Sequence, residues 1–322
     1  MNWAIRNRQH NHYIHWVTAH NDRVFTNMGE FIVHLNKFGH PLSGSFDYDP
    51  DPILDGIDIE LNSLVGLKNV KEDITRLIDF LTIQKKREEF GLIRNNNSLH
   101  MVFYGPPGTG KTSVARIIAR IYKKLGFLRK GHLVEVDRSG LVAEYLGQTA
   151  IKTQKVIQSA LGGVLFIDEA YSLYADKDTY GSEAINTLLK EMEDKRDDIA
   201  VVVTGYKKEM DHFLVSNPGL KSRFNRFFHF KHYGENELVQ IFKIVCNQND
   251  YLISEKAELY LHQLFKKVVL SRDEHFGNGR YIRNLFEKAI ESNASRISKK
   301  TDIKIEDLKT ITEVDIKHAE VY

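Results

Sequence analysis

The residues Gly105-Pro106-Pro107-Gly108-Thr109-Gly110-Lys111-Thr112 constrain this chain more than any other stretch, because they complete a G-x-x-x-x-G-K-[ST] phosphate loop. Glycines in such a loop let successive backbone N–H groups turn toward phosphate oxygens, and the helix that follows aims the positive end of its dipole at the same anion. The bare pattern arises by chance in about one chain of this length in a hundred. Its flanks add specificity. An apolar run, Met101 to Tyr104, precedes the loop, and Val114, Ile117, Ile118, Ile121, Tyr122 and Leu125 follow it at helical spacing. Strand, loop and helix in that order are the context the motif requires. Chemistry then assigns Lys111 to the β- and γ-phosphates of a nucleotide and Thr112 to Mg²⁺.

Further along, Gly162 to Ile167 forms an apolar run that ends in Asp168-Glu169. Ligands of parallel sheets bind at the carboxyl ends of the strands, so this acidic pair is placed to face the loop. Asp168 is expected to hold the Mg²⁺, usually through water, and Glu169 to orient or deprotonate the attacking water. Two more apolar runs, Leu133–Val136 and Ile199–Val203, alternate with amphipathic helical patterns. The expected fold class is therefore α/β, a parallel sheet flanked by helices. After about residue 234 the strand-type runs stop and helical spacing takes over, as in Ile282, Leu285, Phe286, Ala289 and Ile290, which predicts a small all-helical domain.

Charge and composition exclude more than they identify. The chain has 322 residues, 45 basic against 43 acidic, for a net charge of +2. That balance points to no nucleic-acid or membrane surface. One cysteine, Cys246, permits neither an internal disulfide nor a cysteine-based zinc site. The apolar runs are too short to span a membrane, and the N-terminus lacks a secretory apolar core, so a cytoplasmic setting is expected. Between Pro41 and Glu60 lie Asp47, Asp49, Asp51, Asp55, Asp58 and Glu60 with no Lys or Arg, which reads as a solvated acidic linker. Upstream of it, residues 1–40 hold six histidines and both tryptophans, Trp3 and Trp16. His10, His12 and His15 have no Cys or carboxylate at ligand spacing and are assigned no metal. The predicted division is a histidine-rich segment with its linker at 1–57, a nucleotide-binding α/β domain at 58–233, and a helical domain at 234–322.

With these residues in place, the chain resembles an AAA+ ATPase of the group containing CbbX, the red-type Rubisco activase, and stage V sporulation protein K, from about Asp58 to Arg296. The landmarks are Leu64-Val65-Gly66-Leu67, the phosphate loop, Gly131 to Glu135, Tyr145-Leu146-Gly147, Phe166 to Leu173, Asn217 to Leu220 with Ser222-Arg223-Phe224, and Asn278 to Asn284. The likeness leans toward the sporulation branch. It implies a P-loop AAA+ core followed by a helical lid, with ATP and Mg²⁺ held by Gly105 to Ser113 and Asp168. It also implies that Val65 and Gly66 lie against adenine, and that Arg280 is the lid arginine sensing the γ-phosphate, with Arg283 as rival. Arg223, with Arg226 as second candidate, matches the arginine finger supplied to a neighbouring subunit's ATP, which requires a homo-oligomer, in the family a hexamer. Tyr145-Leu146-Gly147 matches the central-pore loop, where an aromatic can grip an extended polypeptide. One departure stands out. Where the family often has Asn at the sensor 1 position, this chain reads Thr204-Gly205-Tyr206, so Thr204 or Tyr206 must serve, Thr204 having the shorter reach.

The reading that follows is an ATP-hydrolysing, ring-forming remodeller that pulls on a protein client. A nucleic-acid-dependent loader or motor is the alternative from another class, and near-neutral charge with no basic aromatic stripe argues against it. A nucleotide-gated scaffold is a third, opposed by the intact set Asp168, Glu169 and Arg223.

Overall fold

The computed structural model describes residues 56–93, 98–145, 147–174 and 179–321. The histidine-rich segment with Trp3 and Trp16, most of the acidic stretch, and Leu146 lie outside the described residues. The chain enters through α1 (Ile57–Ser63) and α2 (Lys68–Glu89), then β1 (Met101–Tyr104), α3 (Lys111–Lys124), β2 (Leu133–Val136), the short α4 (Arg138–Leu141) and α5 (Thr149–Ala160). Next come β3 (Val164–Ile167), α6 (Thr179–Asp194), β4 (Ala200–Gly205), α7 (Lys207–Ser216), α8 (Pro218–Arg223) and β5 (Arg226–His229).

The five strands form one parallel sheet in the order β2-β3-β4-β1-β5. Every residue of β1, β3 and β4 is buried, whereas the edge strands β2 and β5 are only partly so. This is why the central three read as unbroken apolar runs: parallel strands are covered on both faces. Alternate residues feed two cores. Met101, Phe103, Phe166 and Val202 pack on the side of α2 and α3, while Val102, Leu165, Val201 and Val203 pack on the side of α5, α6 and α7. The apolar stripe of α3 lies wholly in the first core, with Val114, Ile118, Ile121 and Tyr122 at 0% exposure.

The described end of the acidic stretch differs from expectation. Residues from Ile57 onward form α1, with Ile57 and Leu61 buried and Glu60 paired with Arg120. The run of acids hides an apolar pair four residues apart, which is one turn of a packed helix.

Beyond Gly234 the chain is helical apart from one two-residue parallel pair, β6 (Leu252–Ile253) with β7 (Thr310–Ile311). The helices are α9 (Glu235–Gln248), α10 (Glu255–Ser271), α11 (Gly279–Ile297), α12 (Ile305–Lys309) and α13 (Glu313–Val321). Among the described residues no helix is long and apolar enough to cross a membrane. A polar staple joins α11 to α13. Asp315, fully buried, accepts from Arg296 Nε at 2.8 Å and Nη2 at 2.9 Å, from the Thr312 amide and hydroxyl at 2.8 Å each, and from Asn293 at 3.3 Å.

Burial alone would raise the Asp315 carboxyl, but the hydrogen bonds, led by Arg296, outweigh it and hold the group below its ordinary value. A folded-state pKa below the unfolded one contributes stability above the ordinary carboxylate pKa, and that stability is lost as pH falls through the depressed value. Asp315→Ala strands Arg296 and should destabilise the helical domain by about 3 kcal/mol. Chemical denaturation checks this. A transition at the wild-type denaturant concentration would show that the staple contributes nothing.

Candidate functional site

The strand order brings three carboxyl ends side by side. Tyr104 pairs with Gly205, and Val203 pairs with Ile167, so the phosphate loop after β1, Thr204-Gly205 at the end of β4, and Asp168-Glu169 after β3 share one edge. Around them is a cavity of about 540 Å³. Gly105, Pro107, Gly108, Gly110, Lys111, Thr112 and Ser113 line it, facing Asp168, Glu169 and Tyr206. The helical domain supplies the opposite wall through Ile241, Val245, Gly279, Arg280 and Arg283.

Inside the loop, Gly108 has φ +68, and a Cβ there would lie 2.1 Å from the Gly277 carbonyl oxygen. A side chain is thus excluded by backbone angle and by space. Lys111 donates to the Gly105 and Pro106 carbonyls at 2.9 and 2.8 Å, and the buried Thr109 hydroxyl donates to Pro106 at 2.9 Å. The Gly105 amide is spent on the Gly205 carbonyl at 3.1 Å and Pro106 and Pro107 have no N–H, so the anion-binding amides of the loop begin at Gly108. Burial lowers the Lys111 ammonium to about 8; Asp168 and Glu169 oppose that shift and Arg280 adds to it. A cation already desolvated in this way favours an anionic partner strongly.

Asp168 Oδ1 accepts the Thr204 hydroxyl at 3.3 Å and the Glu169 amide at 3.1 Å. Glu169 itself has φ +47, a left-handed backbone in a non-glycine residue, and it is exposed on the cavity wall. The chain therefore leaves β3 through a strained corner that turns the second carboxylate off the strand line. Thr204 is fully buried and acts on Asp168 without lining the cavity, whereas Tyr206 lines it and meets His275 edge-on at 5.2 Å.

Several expected residues lie elsewhere. Val65 and Gly66 line a separate cleft of about 480 Å³ with Gln240 and Ile244. The two clefts share α9, whose Ile241 and Val245 face the phosphate cavity. Arg223 does not line the cavity of its own chain. It pairs with Glu193 at 3.3 Å and donates to the Gly219 carbonyl at 3.3 Å. Arg226 stacks over the Phe80 ring at 5.0 Å. Tyr145 is 67% exposed, ahead of Gly147 with φ +78; Leu146 lies outside the described residues.

Sequence reasoning missed other contributors. Glu135 on β2 accepts the Thr112 hydroxyl at 3.2 Å and pairs with Arg116 at 3.4 Å. Ile241 and Val245 are an apolar pair at helical spacing that cannot be told from core in a sequence. Asn278, beside the expected Arg280, is fully buried against the loop. Among the described residues no cluster of three or more His, Cys, Asp or Glu could hold a metal, so any ion here needs hydroxyl and phosphate oxygens as well.

A phosphate loop, an acidic strand end beside it and a helical domain closing over both define a P-loop ATPase with an attached lid. The family model for the ATPase family associated with various cellular activities (AAA) matches residues 101–232, and the AAA lid domain model matches residues 234–321. Stage V sporulation protein K of Bacillus subtilis is 42% identical over 267 residues, 82% of this chain and 83% of that protein. The chloroplastic ribulose bisphosphate carboxylase/oxygenase activase of Cyanidioschyzon merolae is 42% identical over 276 residues, 84% of this chain and 92% of that protein. The solved AAA domain of FIGL-1 in complex with ADP shares the fold, with a TM-score of 0.57 at 19% identity over 87% of this chain and 91% of that one. The chain belongs to the AAA+ ATPase family of stage V sporulation protein K and CbbX, and it is an ATPase. Equal identity to the sporulation protein and the activase means that overall identity does not separate those branches.

Proposed function

We propose that this chain is a ring-forming protein-remodelling ATPase whose sites are completed between subunits. The observation that carries the reading is the division of labour around the cavity: binding and water-activating groups line it, while Arg223 is held on a different part of the same chain. Lys111, Arg280 and Arg283 of the same chain already line the cavity, and Arg223, held away from it, is left to stabilise a transferring phosphoryl in a neighbouring subunit.

In this reading the loop from Gly105 to Ser113 binds the phosphates of ATP. Lys111 leaves the Gly105 and Pro106 carbonyls to meet the β- and γ-phosphates. Thr112 and Asp168 offer hard oxygen donors that would hold Mg²⁺, which would supply charge neutralisation for the bound phosphates. Thr204 fixes Asp168 in place. Glu169, turned off the strand line, orients and deprotonates the attacking water, and Arg280 reports the γ-phosphate to the lid. Val65 and Gly66, with α9 of the lid, form the base end. The domain division is 1–57, 58–233 and 234–322, the oligomer is a hexamer, and the setting is cytoplasmic, where neither a membrane nor a nucleic acid is needed as partner.

Tyr145 on its exposed loop is the client contact, since an aromatic face grips polypeptide without reading its sequence. A permanently unfolded protein should stimulate ATP hydrolysis by the wild-type chain and fail to stimulate Tyr145→Ala, whose basal rate stays at the wild-type level. Stimulation that survives in Tyr145→Ala removes the pore-loop reading. If single-stranded DNA or RNA stimulates and unfolded protein does not, the nucleic-acid motor replaces the remodeller.

A further inference from the structure

Three consecutive carbonyls of the phosphate loop are held by the lid and its hinge. Pro107 O accepts Asn278 Nδ2 at 3.1 Å, Gly108 O accepts the Gly279 amide at 2.9 Å, and Thr109 O accepts the Tyr233 hydroxyl at 3.0 Å. Asn278 is the centre of this seam. It has no solvent exposure, and its Oδ1 accepts the Tyr233 amide at 3.1 Å, just where the core passes into the lid. Its Nδ2 also lies 2.8 Å from the Phe276 carbonyl and 3.1 Å from His232 Nδ1. The backbone at Asn278 has φ +47, which a non-glycine residue adopts only when its surroundings impose it. Neither glycine across the seam leaves room: a Cβ on Gly108 would sit 2.1 Å from the Gly277 oxygen, and one on Gly279 would sit 2.8 Å from the Gly108 oxygen.

A phosphate loop receives an anion only while its carbonyls face outward and its N–H groups face inward. We propose that Asn278 is a positioning residue for nucleotide binding. Through Pro107 it holds the loop in the receiving conformation, and through Tyr233 it ties that conformation to the position of the lid. The proposal rests on the loop being the nucleotide site. It assigns the lid a second role beside Arg280: setting the shape of the loop before any phosphate arrives. A loop that is shaped beforehand improves binding of ground state and transition state alike, so its loss raises KM more than it lowers kcat.

Asn278→Gly tests this, because glycine accepts φ +47 and removes the side chain with its bonds to Pro107 and Tyr233. Tyr233→Phe removes only the hydroxyl on Thr109. Binding is read with a fluorescent ADP analogue, turnover by phosphate release, and folding by thermal denaturation. Asn278→Gly should bind the analogue about tenfold more weakly and Tyr233→Phe about fivefold, each losing hydrogen bonds to the loop. In both, KM for ATP should rise by the same factor with kcat within about threefold of wild type. If Asn278→Gly does not fold, Asn278→Ser, which keeps a side-chain oxygen but removes the amide donor to Pro107, decides. Wild-type affinity in the folded variants overturns the proposal, and so does a loss confined to kcat. Lys111→Ala separates this failure from that of the site itself: if it retains wild-type affinity the loop is not the nucleotide site, and if it abolishes binding while Asn278→Gly binds normally only the positioning role falls.

Discussion

Glu169→Gln is expected to lower kcat by about 10²- to 10⁴-fold, the range that a positioned general base supplies, while ATP affinity stays near wild type. The geometry makes the two effects separable. Asp168 is engaged by the Thr204 hydroxyl and by the backbone amide of residue 169, and neither contact uses the Glu169 carboxylate. Glutamine preserves shape and exposure at the corner after β3 but cannot take a proton. The substitution also leaves Lys111 and the loop carbonyls untouched. Single-turnover hydrolysis and equilibrium binding check the two halves. Turnover at the wild-type rate would mean that another group activates the water.

Arg223→Ala is expected to act on a different site from the one in its own chain. Arginine fingers contribute about 10³- to 10⁵-fold to kcat in phosphoryl transfer, and a loss in that range should occur with ADP affinity unchanged, because Arg223 does not line the cavity beside Lys111. The residue is also available. Its partner Glu193 is 57% exposed at the side chain, a setting in which an ion pair contributes little. Its Nε is buried without a hydrogen-bond partner. Its backbone carbonyl accepts the Ser98 hydroxyl at 2.8 Å, which anchors α8, while the guanidinium is held by contacts at 3.3 Å to Glu193 and to the Gly219 carbonyl. Arg226, stacked on Phe80, is already committed. A kcat loss of less than tenfold in Arg223→Ala would count against the assignment.

The polar residues of the phosphate loop and the β3 end that line the cavity were legible in the sequence, because each ends an apolar run or sits in a motif with fixed spacing. Their meeting was not. Asp168 and Lys111 belong to strands and loops separated in sequence, and only the order β3-β4-β1 sets their edges together. The lid's share was hidden for a different reason. Ile241 and Val245 carry no chemistry that separates them from core residues, and nothing local predicts that Asn278 adopts a left-handed backbone beside Gly108. Acidic composition misled over Asp58 and Glu60, since these half-buried carboxylates flank a buried Ile57–Leu61 pair in a packed turn, with Glu60 paired to Arg120. The resemblance placed Val65 and Gly66 against adenine, and they line a cleft that shares α9 with the phosphate cavity, a relation that only the folded chain displays.

Hydrolysis at sites shared between subunits is the central claim, and mixing two inactive variants tests it most directly. Arg223→Ala subunits keep Glu169, and Glu169→Gln subunits keep Arg223. In a ring of head-to-tail contacts mixed in equal amounts, about a quarter of the interfaces should join an intact Glu169 to an intact Arg223. ATP hydrolysis should therefore reappear, peak near equal proportions, and approach about a quarter of the wild-type rate. No recovery at any ratio, in a mixture shown to co-assemble, would contradict a composite site and leave each subunit to complete its own.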